Sequence, residues 1–412
     1  MKNQSSLMKK IVALLTICSP FFLNAQGFQV NLQGQKQQGM GGTGVAYMQD
    51  GAALFFNPGG VSFLKQNSIS FGSSPVISYG QYTDAASSTV SKTTSPVSYP
   101  FTAYAVFGKK DSRLKYGIAA YTPFGSTVDY ENGWTGRFVL THLQLYSVFI
   151  QPTLSYKISD KVGIGAGFVY GMGSVNLQRD IPVVDNKGEY GHATLDGKAK
   201  GYGFNAGIYY QPSQQWSLGL TYRSQVKMNV DNGTATFTVP VSLSSQFPNG
   251  PFTTSLPLPD VTSFGAAYSP NKKLTVAMEL NRVGWKTFDT LSFHYQNTSA
   301  SLSDTKSARM YQNTLSYRVG MQYALTNKLM GRLGIKYLAT PVQDSYVSPD
   351  VPDASHWNYS GGLGYKLCSH FVADISFTYE RMVRNDTNKE TQMSGTYTTN
   401  LFIPGLSIAY NF

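Results

Sequence analysis

The chain has 412 residues, room for two or three soluble domains or one large barrel, and its formal charge of +11 is spread thinly, with no run of Lys or Arg longer than two. That dispersal excludes a nucleic-acid surface, which needs its basic residues gathered in a patch. Charged residues make up 13% of the chain, aromatics 14%, and glycines number 40, a balance too poor in charge for an ordinary soluble surface.

In chain order, the first segment reads as a secretory signal. "MKNQSSLMKK" carries Lys2, Lys9 and Lys10, and "IVALLTICSPFFLNA" is apolar but too short for a stable membrane anchor. Ala25 suits a cleavage site just before Gln26. Cys18 does not make a lipoprotein site, because Ile17 stands where a small residue is needed. Removal of residues 1–25 lowers the charge by three to +8 and leaves Cys368 as the only cysteine, so no intrachain disulfide can form.

Residues 26–66 are polar, then glycine-rich, and contain Asn57-Pro58-Gly59-Gly60, a strong turn signal. Gly39, Gly41 and Gly44 spell G-x-G-x-x-G, the dinucleotide fingerprint, but the polar "NLQGQKQQ" precedes them instead of a buried strand. Asp50 comes too early to hold a ribose, and Asn57-Pro58 stops any helix. No nucleotide or other cofactor is expected. Val45, Ala46, Ala52, Ala53, Leu54, Phe55 and Phe56 point to burial, so the segment is expected to be a plug whose glycines let the backbone turn and pack in a confined space.

From residue 67 onward the chain alternates. Leu154, Tyr156 and Ile158 oppose Thr153, Ser155 and Lys157; Leu315, Tyr317, Val319, Met321 and Tyr323 oppose Ser316, Arg318, Gly320 and Gln322; Phe371, Ala373, Ile375 and Phe377 oppose Asp374, Ser376 and Thr378. Period two with one apolar face means strands half-buried in something apolar. A soluble sandwich of this length would need several domains joined by linkers, and no linker composition is present. Lipid is the medium that fits, and a closed barrel satisfies every backbone group within it.

Strands are expected near 67–82, 97–109, 112–124, 142–158, 161–178, 197–211, 215–230, 258–270, 273–295, 308–325, 328–343, 356–368, 370–384 and 397–412, about 14 in all and even in number. The fold class is therefore all-β: a transmembrane antiparallel β-barrel over 67–412 with an N-terminal hatch in its lumen. Short polar joints such as Ser159-Asp160-Lys161 mark the periplasmic rim, and the longer 123–141, 179–196, 231–257 and 296–307 face outward. The last strand, "LFIPGLSIAYNF", ends on Phe412, which suits the insertion signal read by a barrel-assembly machinery.

At this point "GFQVNLQGQKQQGMGGTGVAYMQDGAALFFNPGG" resembles the N-terminal hatch of the FadL/TodX-type outer-membrane transporters of fatty acids and hydrocarbons. "YTPFGSTVDYENGWTGR" (121–137), "GYGFNAGIYYQPSQQWSLGLTYRSQVKM" (201–228) and "TPVQDSYVSPDVPDASHWNYSGGLGY" (340–365) extend the likeness over the mature chain. Gly59 departs from the family's Asn-Pro-Ala ending. The resemblance implies a multi-pass protein of the Gram-negative outer membrane, in contact with its lipid and lipopolysaccharide. It implies passive capture of hydrophobic small molecules outside and their sideways release through the wall. It puts Phe28, Asn57, Pro58 and Gly59 in the hatch, and Pro123, Phe124 and Gly125 on the kink that opens the wall.

For the remaining candidate residues the sequence leaves alternatives. Trp134, Phe138 and Phe247 in outer stretches suit an apolar capture groove. Arg223, Lys227, Arg318, Arg332 and Lys336 share the polar parity of their strands and are expected in the lumen. There they either pair with Asp374, Glu380 or Glu279 and hold the hatch, or one receives a fatty-acid carboxylate. Asp353, Ser355 and His356 are types a barrel hydrolase uses, but neighbours on an extended strand point to opposite faces. His142, His192, His294 and His370 are scattered without ligand spacing, so neither a metal site nor catalysis is expected. Rival readings are a polar-solute porin, an adhesin or structural barrel, and a barrel hydrolase. The chain is expected to work as a monomer.

Overall fold

The computed structural model describes residues 27–109 and 112–412; the expected signal segment lies outside them. No helix among these residues is long and apolar enough to cross a membrane. The wall is instead an antiparallel barrel of 14 strands, built from twenty-one strand segments in one sheet.

Seven wall strands are interrupted: β1–β2 (Ser68–Ser73, Ile77–Asp84), β3–β4 (Val90–Lys92, Phe101–Phe107), β5–β6 (Leu114–Tyr121, Gly125–Asp129), β10–β11 (Trp216–Arg223, Val226–Thr238), β12–β13 (Gly250–Leu258, Val261–Tyr268), β14–β15 (Leu274–Val283, Thr290–Tyr295) and β16–β17 (Thr305–Ala308, Thr314–Ala324). Seven run unbroken: β7 (His142–Lys157), β8 (Val162–Val184), β9 (Tyr190–Tyr210), β18 (Leu329–Leu338), β19 (His356–Lys366), β20 (Phe371–Thr387) and β21 (Ser394–Asn411). The last strand, β21, pairs with both β1 and β2, Ser68 opposite Asn411 and Asp84 opposite Gly395, so the sheet closes on itself.

The alternation reads directly onto the wall. Leu154, Tyr156, Phe168, Phe204, Leu220, Phe377, Leu406 and Ile408 all point outward and exposed, where lipid surrounds the barrel. Gln151, Thr153, Asn205, Glu279, Arg318, Arg332 and Asp374 point inward and are buried.

Two expected loops are largely strand. β8 runs to Val184 and β9 begins at Tyr190, while β11 reaches Thr238 and β12 begins at Gly250, which converts most of 179–196 and 231–257 into wall. Their continuation beyond the apolar band covers a second core of Leu195, Val230, Phe237, Phe252 and Phe293. Conversely, β18 stops at Leu338, short of the expected 343, and residues 339–355 leave the wall.

Inside the wall, residues 27–67 form two single-turn helices, α1 (Gln35–Gln38) and α2 (Ala53–Phe56), followed by a 3-10 turn over Pro58–Phe63. Such short helices are not stable alone. Wall side chains hold them: Gln151 donates to the Leu54 carbonyl at 2.7 Å, and Asn205 and Arg223 to that of Phe55 at 3.0 and 2.6 Å. These donors satisfy carbonyls at the end of α2 that have no partner within the helix.

Candidate functional site

The glycine-rich run 39–44 is an anion cradle, filled by the protein's own wall. Gly41 and Gly42 adopt φ of 69° and 79°, which turns successive amides to one side. The Gly44 and Val45 amides donate to the Glu279 carboxylate at 2.9 and 3.1 Å, and Arg318 stands 3.6 Å from the same carboxylate. Arg318 also donates to the Gly42 carbonyl at 2.9 Å. The backbone geometry suited to a phosphate thus receives a carboxylate from β14.

Asn57 fixes the other end of the hatch. It is fully buried; its side-chain oxygen accepts from the Gly59 amide at 3.0 Å, and its amide donates to Val45 at 2.8 Å and to wall residue Ile208 at 3.0 Å. Pro58, with φ preset by its ring, opens the 3-10 turn. Gly59 lies flush on the wall: a Cβ there would come within 2.6 Å of the Gly207 carbonyl oxygen. The departure from Ala is therefore matched to this wall.

The inward charges are paired. Arg332 meets Asp374 at 2.8 Å, and Lys36 of the hatch approaches Asp374 and Asp50 at 3.9 and 3.5 Å. Lys336 and His356 meet Glu380 at 3.9 and 3.2 Å. Arg223 lies 3.5 Å over the Phe55 ring. Lys227 corrects the sequence expectation, because it lies on the exposed face. Ser224 and Gln225 leave the ladder between β10 and β11, which shifts the alternation so that Val226 and Met228 turn inward and Lys227 outward.

The third wall strand breaks at Thr122-Pro123-Phe124. β5 pairs with β4 and β7, whereas β6 pairs with β7 alone. The last bond on the β4 side is Thr122 amide to Phe101 carbonyl at 3.2 Å, and contact resumes with Thr94 amide to Asp129 carbonyl at 2.7 Å. Between them, among the described residues, no backbone bond joins 95–100 to 123–128. Pro96, Pro100 and Pro123 bring no donor to this interval.

The freed backbone groups are satisfied from inside. The Val30 amide donates to the Pro123 carbonyl at 2.8 Å, the Gly125 amide to the Phe28 carbonyl at 3.2 Å, and Gln33 to the Thr122 carbonyl at 3.0 Å. Phe28 sits among Phe124, Trp285 and Phe288, with ring centroids 6.0, 4.9 and 5.6 Å away. The amide of Gly27 donates to the Asp353 carboxylate at 2.9 Å, in the segment that left the wall. Burial raises the Asp353 carboxyl above its ordinary value, opposed by His356 and by hydrogen bonds from Gly27 and Thr340.

Two spaces adjoin this tip. One, about 680 Å³, is lined by Gly27–Leu32, by 95–100 and by Gly125–Val128, so it reaches from the tip to both edges of the gap. The other, about 80 Å³, is lined chiefly by apolar side chains including Phe124, Leu143, Val175, Met228, Leu256 and Phe293. Phe28, Leu145 and Val351 line both.

The three outer aromatics do not converge on either space. Trp134 is buried, stacked on Tyr130 with centroids 3.8 Å apart, and its indole N–H donates to the Leu140 carbonyl at 2.7 Å. Phe138 packs on Tyr190 at 5.1 Å and Phe247 on Phe237 at 6.2 Å. Each ring is occupied by its own loop contact, which corrects their reading as one capture groove. Trp285, Phe288, Met228 and Val351 were not singled out in the sequence; only the Gly284-Trp285 interruption of an alternating stretch marked any of them. His356 is engaged by the Ala354 carbonyl at 2.8 Å and by Glu380, and Asp353 by Gly27 and Thr340, so no nucleophile–base–acid relay forms there. Among the described residues no group of metal-ligating side chains could hold an ion.

A closed barrel with an apolar outer face and a docked inner segment defines an outer-membrane channel protein. The chain belongs to the outer membrane protein transport protein family (OMPP1/FadL/TodX), whose model matches residues 17–412. Family members are transport channels, not enzymes. Outer membrane protein P1 of Haemophilus influenzae is 29% identical over 188 residues, 45% of this chain and 39% of that protein, so the matched stretch spans well under half of that relative. Among solved structures, a Pseudomonas aeruginosa FadL homologue superposes with a TM-score of 0.80 at 18% identity, covering 94% of this chain and all of the other. The Pseudomonas putida toluene transporter TodX superposes with a TM-score of 0.73 at 17% identity, covering 95% and 99%.

Proposed function

We propose that this protein carries hydrophobic small molecules, of the long-chain fatty acid or aromatic hydrocarbon class, passively across the outer membrane and releases them sideways through its wall. The observation that carries the reading is the cavity that reaches from the tip at Phe28 to both edges of the gap beside Pro123 and shares Phe28, Leu145 and Val351 with the apolar pocket. An apolar solute entering the lumen gains about 25 cal/mol for each Å² removed from water. Discharge into the aqueous periplasm would forfeit that energy, whereas release through the gap into lipid keeps it. The two superposed structures, a FadL homologue and a toluene transporter, support the same substrate class. Exposed Phe412, stacked against Tyr410 at 5.5 Å, is available to the barrel-assembly machinery. The protein works as a monomer, in contact with outer-membrane lipid and lipopolysaccharide.

The test is uptake in a Gram-negative host lacking its own hydrophobic-solute transporters. Labelled toluene or oleate enters faster when the protein is present, and a labelled disaccharide does not. Equal stimulation of the disaccharide makes the protein a general porin instead. Stimulation of none of them removes transport altogether.

A further inference from the structure

The apolar pocket rests on a methionine laid over glycines. Met228 is 4% exposed and lines the pocket. A Cβ built on Gly171 or Gly201 would come within 3.0 or 2.9 Å of its sulfur, and one on Gly173 within 3.3 Å of its Cε. These glycines belong to β8 and β9, so the thioether lies flat against wall that has no side chain to raise it. The pocket nevertheless measures only about 80 Å³, while an apolar cavity of about 150 Å³ is what holds a benzene-sized guest. A ring therefore enters only if a lining side chain yields.

Most of the lining is branched or aromatic and stiff once packed, as at Leu143, Val175, Leu256 and Phe293. Met228 is unbranched, with three rotatable side-chain bonds and a polarizable sulfur, the type that adapts to irregular guests. Phe28 differs in kind: it belongs to the tip and lines both spaces. We propose that Met228, seated on Gly171, Gly173 and Gly201, sets the bulk of the hydrophobic molecule this pocket accepts. This inference rests on the transport reading above. The glycine floor keeps the methionine low, and any side chain added beneath it narrows the pocket.

The experiment compares initial uptake of labelled toluene and labelled naphthalene, expressed as the naphthalene-to-toluene ratio, in cells matched for surface level. Met228→Ala removes three heavy atoms from the floor and raises the ratio roughly tenfold, the low end of what one group of this size decides in an apolar pocket. Gly171→Ala, whose new Cβ comes nearest the Phe149 and Met228 side chains, lowers it. Met228→Leu, close in volume, leaves it within about twofold. A Met228→Ala ratio within twofold of wild type, or a Met228→Leu ratio shifted as far as that of Met228→Ala, overturns the proposal. Thermal shift of the detergent-purified full chain by naphthalene reads the pocket without transport. If wild type carries neither tracer but Met228→Ala still gains a larger shift, the transport reading fails while the pocket assignment stands; equal shifts in both proteins end the assignment.

Discussion

The hatch and its own N-terminal tip are held in opposite ways. The body, from Gln35 to Phe63, is pinned by the Glu279 cradle, the three bonds of Asn57, the Arg332–Asp374–Lys36 charges, and Gln35 and Gln38, whose oxygens accept from Ser376 at 2.6 and 2.7 Å. The tip, Gly27 to Gln33, has two backbone bonds to the broken strand, Gln33 on Thr122, Asn31 accepting from Arg318 at 3.0 Å, one carboxylate on Gly27, and ring packing around Phe28. Each neutral bond nets only about 0.5–1.5 kcal/mol, and the body carries more of the buried charge. Under the proposed function the body serves as a fixed floor and the tip as a latch beside the gap.

Glu279→Ala breaks this comparison most severely. It strands buried Arg318 and removes the acceptor of the Gly44 and Val45 amides, with an expected loss of about 3–5 kcal/mol in docking of the body. Conductance in planar bilayers should rise and trypsin should reach Lys36, while the barrel keeps its heat-shifted gel mobility. Wild-type conductance together with a protected Lys36 would show that the body is not held there. Asn57→Ala should act in the same direction more weakly, at about 1–3 kcal/mol for each buried group left unpaired. Deletion of residues 28–58 gives the ceiling for both. Asp353→Ala sharpens the comparison from the other side. It frees the Gly27 amide and the Thr340 hydroxyl, at about 1–3 kcal/mol for each group left unpaired, and it should raise apolar uptake several-fold with closed-state conductance unchanged. A rise in ion conductance would instead assign Asp353 to the floor.

Much of this was legible in the sequence because lipid imposes a simple rule. Period-two alternation marked the wall strands, and Asp374, Glu380 and Glu279 were candidate partners of the lumenal cations as a group, with no pairing assigned. Lys227 shows where the rule stops: a one-residue register shift against β9, from Arg223 opposite Asn205 to Asn229 opposite Lys200, inverts the side chains that follow it, and Ser224-Gln225 carry no distinctive signal. Residues 339–355 read as strand, then loop, yet fold inward to deliver Asp353 to Gly27, a contact between positions 326 apart. Trp134 misled for a different reason. An outer-loop indole looks available until its N–H and ring face are seen to be used by Leu140 and Tyr130. The apolar pocket draws on seven different wall strands and two inner segments, and no local pattern encodes such a meeting.

The smallest structural change tests the latch at the gap beside it. Pro123 withholds a ladder donor, and Gly125 leaves the inner face open beside Val30. A Cβ at Gly125 would lie 3.2 Å from the Leu145 carbonyl oxygen and 3.9 Å from Val30 Cγ2, tight but without backbone overlap that forbids it. Pro123→Thr with Gly125→Val therefore restores a donor and a β-branched residue to the strand and should leave stability nearly unchanged. The backbone of 95–100 already pairs on its other side with β1–β2 through Val76 and Ser98 at 2.8 Å. Closing the ladder there would narrow the 680 Å³ space, and the double mutant replaces no residue that lines the apolar pocket. Apolar uptake should fall while naphthalene still shifts the melting point of the purified protein. A double mutant that assembles, binds and still delivers long-chain fatty acid at the wild-type rate would show that the ligand leaves by another route, and that the tip closes a gap nothing passes through.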